Sequence, residues 1–322
     1  MAATGYGLAE RLRSAPILST LPRVYFALLG LVVFLGIVSP LSVAPENLIN
    51  LVRQGAALGC VAIGQTIVLI SGGLDLSVGS TVILADVLAA MIINGRSDLA
   101  FPVTLLVLGI GALIGLVNGL LITRFNVVPF IATLGMNFIV YGAALVYSGG
   151  APRGDIPANM RFWGNGFIGG FFPSAALIWI IVTLLAALLL RRTVFGRQLV
   201  ATGANRRAAR LAGVDDKRVT LTAYMFSSLM ASAGGLLLVA YVGTGTLEVG
   251  TDFLLGSIAA SVIGGTPFEG GRGTIWGTFG GILFLMVLYS ILTVLALPTS
   301  GRRMVEGIII LIAVAAYARS RD

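Results

Sequence analysis

Three carboxylates stand in otherwise apolar surroundings: Asp75 in GGLDLSVGS, Asp86 in STVILADVLAA and Asp252 in GTDFLLGS. A carboxylate in such a place caps a helix, relays a proton or meets a polar solute, and the neighbouring residue types decide which. The chain has no histidine, which removes the commonest general base and metal ligand and argues against an intramembrane metalloenzyme. Its single lysine, Lys217 in GVDDKRV, leaves no GxxxxGK[ST] phosphate loop, so any ATP-driven work needs a separate subunit. The single cysteine, Cys60, lies in an apolar run and reads as a small buried hydrophobe with no disulfide partner in the chain.

These residues must be positioned by membrane helices. Of 322 residues 57% are hydrophobic and only 11% charged, with a mean hydropathy of +1.00, which defines an all-α polytopic membrane protein, one transmembrane domain over 1–322. About ten apolar segments are expected: Leu21 to Val38, Leu48 to Ile70, Val78 to Ile93, Leu99 to Ile122, Val127 to Tyr147, Phe171 to Leu190, Val219 to Val242, Phe253 to Ile263, Thr274 to Leu297 and Met304 to Tyr317. Several fall short of a full span of about 20 residues, which predicts broken or tilted helices supported by protein. Residues 1–20 read as a retained cytoplasmic tail, without a cleavable leader.

With the amino terminus inside and sides alternating, 15 of the 21 basic residues fall in the cytoplasm, among them Arg124, Arg191, Arg192, Arg197, Lys217 and Arg218. Arg53, Arg96, Arg153, Arg161, Arg302 and Arg303 remain outside. The positive-inside rule therefore places both termini in the cytoplasm and accounts for the net charge of +8 without nucleic acid.

The two motifs around Asp75 and Asp252 align as G-x-D-x-x-x-G-S, through Gly73, Asp75, Gly79 and Ser80 in the first and Gly250, Asp252, Gly256 and Ser257 in the second. A glycine ladder spaced by four follows each: Gly111, Gly115 and Gly119, then Gly273, Gly277 and Gly281. Opposite orientations of the two halves predict an inverted repeat pairing segments two to five with seven to ten. Gly72 and Gly73 break the preceding helix, and Asp75 or Ser77 caps the next by accepting its free N–H groups; Asp252 is expected to do the same in the second half. Direct solute contact is the other reading of Asp75, ranked behind capping because a charge at that depth needs a partner.

The long cytoplasmic loop over 191–218 contains a compact small-residue and arginine pattern: Gly203, Ala204, Asn205, Arg206, Arg207, Ala208, Ala209, Arg210, Leu211 and Gly213. Asn205 to Leu211 is predicted to be a short helix with Asn205 as N-cap and Gly213 just past its end, projecting Arg206, Arg207 and Arg210 as a protein-docking knob. Gln65, Thr66, Asp86, Asn118, Thr133 and Asn137 are the candidates for lining a polar pathway, interhelical hydrogen bonding being the alternative for each. Outside, the loop over 148–171 carries Arg153, Asp155, Arg161 and Trp163, either as a docking face or as interfacial anchors. Glu306 is placed to pair with Arg302 or Arg303.

Four stretches, GQTIVLISGGLDLSVGS, GLVNGLLITRFNVVPFIATLGM, FGRQLVATGANRRAARLAGV and FLLGSIAASVIGGTPFEGGRGTIWGTFGG, resemble the permease subunits of ribose-type, binding-protein-dependent ABC sugar importers, in the same order from about Asn47 to the end. The resemblance implies the ten-helix type II importer fold in the bacterial inner membrane. It implies a partner ATPase that binds ATP and magnesium, a second permease copy or paralogue, and a periplasmic protein delivering a pentose, hexose or related polyol. It also implies that Gly203 to Gly213 is the coupling helix seated in the ATPase cleft, with no catalysis and no cofactor on this chain. Asp86 departs from the small or apolar residue usual in that family, and either a solute or a Thr or Asn side chain on a neighbouring helix is open to it. A self-sufficient secondary transporter, coupled to protons or ions, is the rival reading.

Overall fold

In the computed structural model, the described residues are 24–298, with Pro22, Gly301, Met304, Val305, Gly307 and Ile308. The amino-terminal tail, most of the expected tenth segment and the pairing of Glu306 with Arg302 or Arg303 lie outside them. The elements run α1 (Val24–Val38), α2 (Pro45–Ile70), α3 (Val78–Ile93), α4 (Ala100–Thr123), α5 (Pro129–Ser148), α6 (Ala158–Asn165), β1 (Phe167–Ile168), β2 (Phe172–Pro173), α7 (Ser174–Arg192), α8 (Val194–Ala204), α9 (Arg206–Leu211), α10 (Asp216–Val242), α11 (Gly250–Ile263) and α12 (Ile275–Val294).

Local chemistry sets these boundaries. Pro45 and Pro129 open α2 and α5, where a missing N–H costs nothing. Thr193, Asn205, Asp215 and Thr274 cap α8, α9, α10 and α12 by accepting a backbone N–H three residues on. Gly243, with φ +92°, ends α10 in the left-handed region open to glycine.

Six helices among the described residues are long and apolar enough to cross a membrane: α2, α4 with the 3₁₀ turn before it, α5, α7, α10 and α12. The apolar helices α1, α3 and α11 are shorter. Burial separates inner from outer elements. The most apolar window of α2 is 83% buried, that of α5 only 22%, so α2 is core and α5 presents most of its surface to lipid or another chain.

α2 and α10 form the centre and pack along each other; α10 also lies on α3 and α4, and α2 lies on α11 and α12. Small residues permit this closeness. The ladder on α4 seats Gly111 against Ser228 and Ser232 and Gly115 against the backbone of Tyr224 and Met225, both on α10. The ladder on α12 seats Gly277 on the Gly264 carbonyl and Gly281 on that of Ala260 in α11. Trp179 of α7 stacks on Phe279 of α12 at 4.3 Å and fills the space left by Gly59.

The two G-x-D motifs do not occupy equivalent places. Asp75 is fully buried and precedes α3 by three residues, whereas Asp252 is exposed in the first turn of α11. Asp252 is therefore no helix break: it lies inside the first turn of α11, where its charge is favourably placed against the helix dipole. The motifs do meet, since α3 and α11 touch backbone to backbone at Gly79 and Gly250. The segments α6, β1–β2 and α8 were not anticipated, being too short or too polar to stand out as apolar runs.

Candidate functional site

A cavity of about 720 Å³ opens between the first half of α2, the last turns of α10 and α12 and the first turn of α11. α9 lies at the opposite end of α10, beyond its first residue. Asn47, Asn50, Arg53 and Gln54 line the cavity from α2, and Tyr241 from α10. Asp252 faces it from α11, and Tyr289, Ser290 and Thr293 from α12. Carboxamides and hydroxyls both donate and accept hydrogen bonds, so this wall substitutes for water around a hydroxyl-rich solute. Among the described residues no group of three or more His, Cys, Asp or Glu could hold a metal.

None of the six expected pathway residues lines this cavity. Thr66 is buried and bonds to Ser261 of α11 at 2.9 Å and Thr278 of α12 at 2.6 Å. Thr133 donates to the carbonyls of Pro129 at 2.9 Å and Leu74 at 3.3 Å. Asn137 is half-buried on α5. Gln65 is fully buried two turns below Leu58, a residue of the cavity wall, and neither its amide oxygen nor its nitrogen has a partner among the described residues.

Asp75 anchors a polar junction. Its Oδ1 accepts the Ser77 N–H at 3.0 Å and the Ser77 hydroxyl at 2.6 Å, and Oδ2 accepts the Ser227 hydroxyl of α10 at 2.9 Å. Asn118 of α4 donates to Ser77 Oγ at 2.9 Å. Neither Asp75 nor Ser77 caps α3 as expected: the carboxylate takes the N–H just before the helix, and the serine hydroxyl is spent on the carboxylate. The charge is held by three donors, and the junction ties α3, α4 and α10 together. Gly72, at φ +78°, supplies the turn between α2 and this junction.

Asp86 has a partner that was not expected. Its Oδ2 accepts the backbone N–H of Thr246 at 2.5 Å, in the connection between α10 and α11, and its Oδ1 has none among the described residues. Among the described residues no Thr or Asn side chain bonds to it; the carboxylate reaches a loop rather than a helix face. That loop joins two walls of the cavity, at Tyr241 and Asp252.

At the other end, α8 and α9 form a helix pair. Asn205 Oδ1 accepts the Ala208 N–H at 3.0 Å, and Gly213 turns the chain at φ +83°. Arg210 does not project freely: Nε and Nη2 grip Asp216 at 2.6 and 2.8 Å, which holds the guanidinium pKa above its usual value. Arg206 leans the same way, 3.8 Å from Asp216. Leu211 is 85% exposed, and Arg207 is exposed beside it. Gly203 sits against the Ile70 carbonyl at the end of α2, and that oxygen accepts the Gly271 N–H at 2.9 Å. A Cβ at Gly203 would collide with both Ile70 and Gly271.

A bundle of apolar helices around a polar cavity is a multi-pass membrane permease in architecture. The chain belongs to the family described as the branched-chain amino acid transport system / permease component, whose model matches residues 47–314. It is similar to the ribose import permease protein of Bacillus subtilis (strain 168), 37% identical over 295 residues and 90% of each chain. It is likewise similar to the ribose import permease protein of Escherichia coli (strain K12), 35% identical over 299 residues, 89% of this chain and 91% of the relative. The galactose/methyl galactoside import permease protein of Haemophilus influenzae (strain ATCC 51907 / DSM 11121 / KW20 / Rd) is 35% identical over 312 residues, 91% and 92% of the two chains. No solved structure gives a significant match.

The cavity residues on α2 were missed in the sequence although a signal was present. Asn47, Asn50 and Gln54 recur at helical spacing along one face of PENLINLVRQGAALG.

Proposed function

We propose that this chain is the membrane-spanning permease of an ATP-driven importer that moves a sugar, a pentose, hexose or related polyol, into the cell. The observation carrying it is the cavity of carboxamides and hydroxyls in a chain whose relatives are ribose and galactose import permeases. A periplasmic binding protein delivers the sugar to the cavity side, where the loop over 148–171 is the docking face. Below the cavity, Gln65 is the next polar group along α2 and the first the solute would wet.

ATP and magnesium belong to a separate ATPase, which seats α9 and its flanks, Gly203 to Gly213, as the coupling helix. The exposed Leu211 and Arg207 suit that role. A second copy or paralogue completes the pore, and the exposed faces of α4 and α5 leave room for it. Ten helices in a type II, inverted-repeat arrangement complete the proposal; the reciprocal packing of α10 on α3 and α4, and of α2 on α11 and α12, supports the repeat. Both termini lie in the cytoplasm by the positive-inside rule.

The test is reconstitution of the permease with its ATPase and binding protein in proteoliposomes, reading uptake of labelled ribose and galactose. Uptake that requires ATP and the binding protein is expected. Uptake by the permease alone, driven by a proton gradient, would establish the secondary transporter instead.

A further inference from the structure

Arg53 enters the cavity wall that Asp252 also lines, but among the described residues it makes no ion pair. Two aromatic faces hold it instead, its guanidinium carbon lying 5.4 Å from the Phe167 ring centroid and 5.5 Å from that of Tyr241. Nη1 donates one long bond, 3.4 Å, to the Asn165 carbonyl, and Nε is buried without a partner. A guanidinium carries five N–H donors, so most remain unmatched by protein. Ring faces restrain the cation without using those donors.

An ionised group within a membrane protein is costly and calls for a functional partner. Among the described residues no carboxylate pairs with Arg53 directly, Asp252 being elsewhere on the cavity wall. Asn50 and Gln54 on the same helix and Ser290 across the cavity add donors and acceptors around the guanidinium's wall. The volume of about 720 Å³ lies within the range of about 300 to 1,000 Å³ usual for small-molecule sites.

We infer that this cavity is a binding site for one neutral, polyhydroxylated solute of sugar size, with Arg53 as the residue that orients it by donating to adjacent hydroxyl oxygens. The inference rests on the sugar-importer reading and deepens it. A hydroxyl suits the site better than a carboxylate. A sugar acid would form a charge-assisted, two-pronged pair with Arg53 and be retained, whereas passage needs release. Preorganisation by Phe167 and Tyr241 keeps the ordering cost of each encounter low.

The experiment uses the full permease–ATPase complex with Cys60→Ala and Ser290→Cys, labelled by a small membrane-impermeant maleimide. Ribose or galactose at millimolar concentration should slow labelling several-fold. Arg53→Met should abolish that protection and Arg53→Lys retain part of it. Asn50→Leu, which leaves the aromatic clamp intact, should weaken it. Undiminished protection in Arg53→Met overturns the inference, as does protection by galactonate with none by galactose. ATP-driven uptake, measured in parallel, separates the two readings: protection without uptake removes the importer reading, and uptake without protection removes the site.

Discussion

Arg210 closes on Asp216 through two parallel N–H bonds, so one of the three arginines of α9 points back into the chain. The bridge ties α9 to the first turn of α10 and leaves Leu211 as the outward tip. Leu211→Asp should therefore weaken ATPase capture about tenfold or more, as loss of a buried apolar anchor does at interfaces. Membrane insertion should be unchanged. Normal pull-down by that variant would sink the docking assignment.

Arg210→Ala acts differently. It frees α9 rather than altering its tip, so ATPase affinity should fall less than with Leu211→Asp while hydrogen exchange across 206–215 accelerates. Exchange equal to wild type would mean the bridge holds nothing.

The Asp75 junction makes an assembly prediction. Asp75→Ala leaves the Ser77 N–H and the Ser227 hydroxyl without acceptors, each costing about 1–3 kcal/mol when buried. Yield and detergent melting temperature should both fall. Asp75→Asn should fall less, since its amide oxygen replaces one acceptor. A stable Asp75→Ala complex with altered sugar preference would reverse the structural assignment.

Asp86 is tested by what it restrains. Asp86→Asn keeps an oxygen for the Thr246 N–H and should preserve the connection between α10 and α11; Asp86→Leu should release it. Proteolysis between 243 and 249 reads the difference. Equal cleavage of the two variants would refute the anchor.

Gly203→Val tests the seat of the helix pair. A side chain there meets the Ile70 carbonyl and the Gly271 amide, both backbone, so α8 must separate from α2. The variant should retain ATPase binding yet uncouple ATP hydrolysis from uptake. Wild-type coupling would show that the contact is dispensable.

Much of the helical organisation was legible because membrane helices announce themselves by hydropathy: the bounds expected for α3, Val78 to Ile93, are those observed. The Asn205 cap and the turn at Gly213 were equally readable, being local chemistry. Partners across the fold were not. Nothing in STVILADVLAA discloses that Asp86 meets the amide of Thr246, 160 residues away. Polar type alone could not choose between a pathway and interhelical bonding for the pathway candidates, because burial against another helix and exposure to a cavity look alike in an apolar run, as Thr66 and Gln54 demonstrate. The repeated G-x-D motif misled about Asp252, since five residues of offset in helix start put identical letters in different surroundings.

The seat of Gly203 on Ile70 brings two backbones together with no side chain between them. Side chains act as springs: they change rotamer and absorb small displacements. Here there is no such cushion. A shift of α8 by a fraction of an ångström must reach the end of α2, and through Gly271 the start of α12, as movement rather than as local rearrangement. The junction works as a rigid linkage between the α8–α9 helix pair and the two long helices that carry most of the cavity wall.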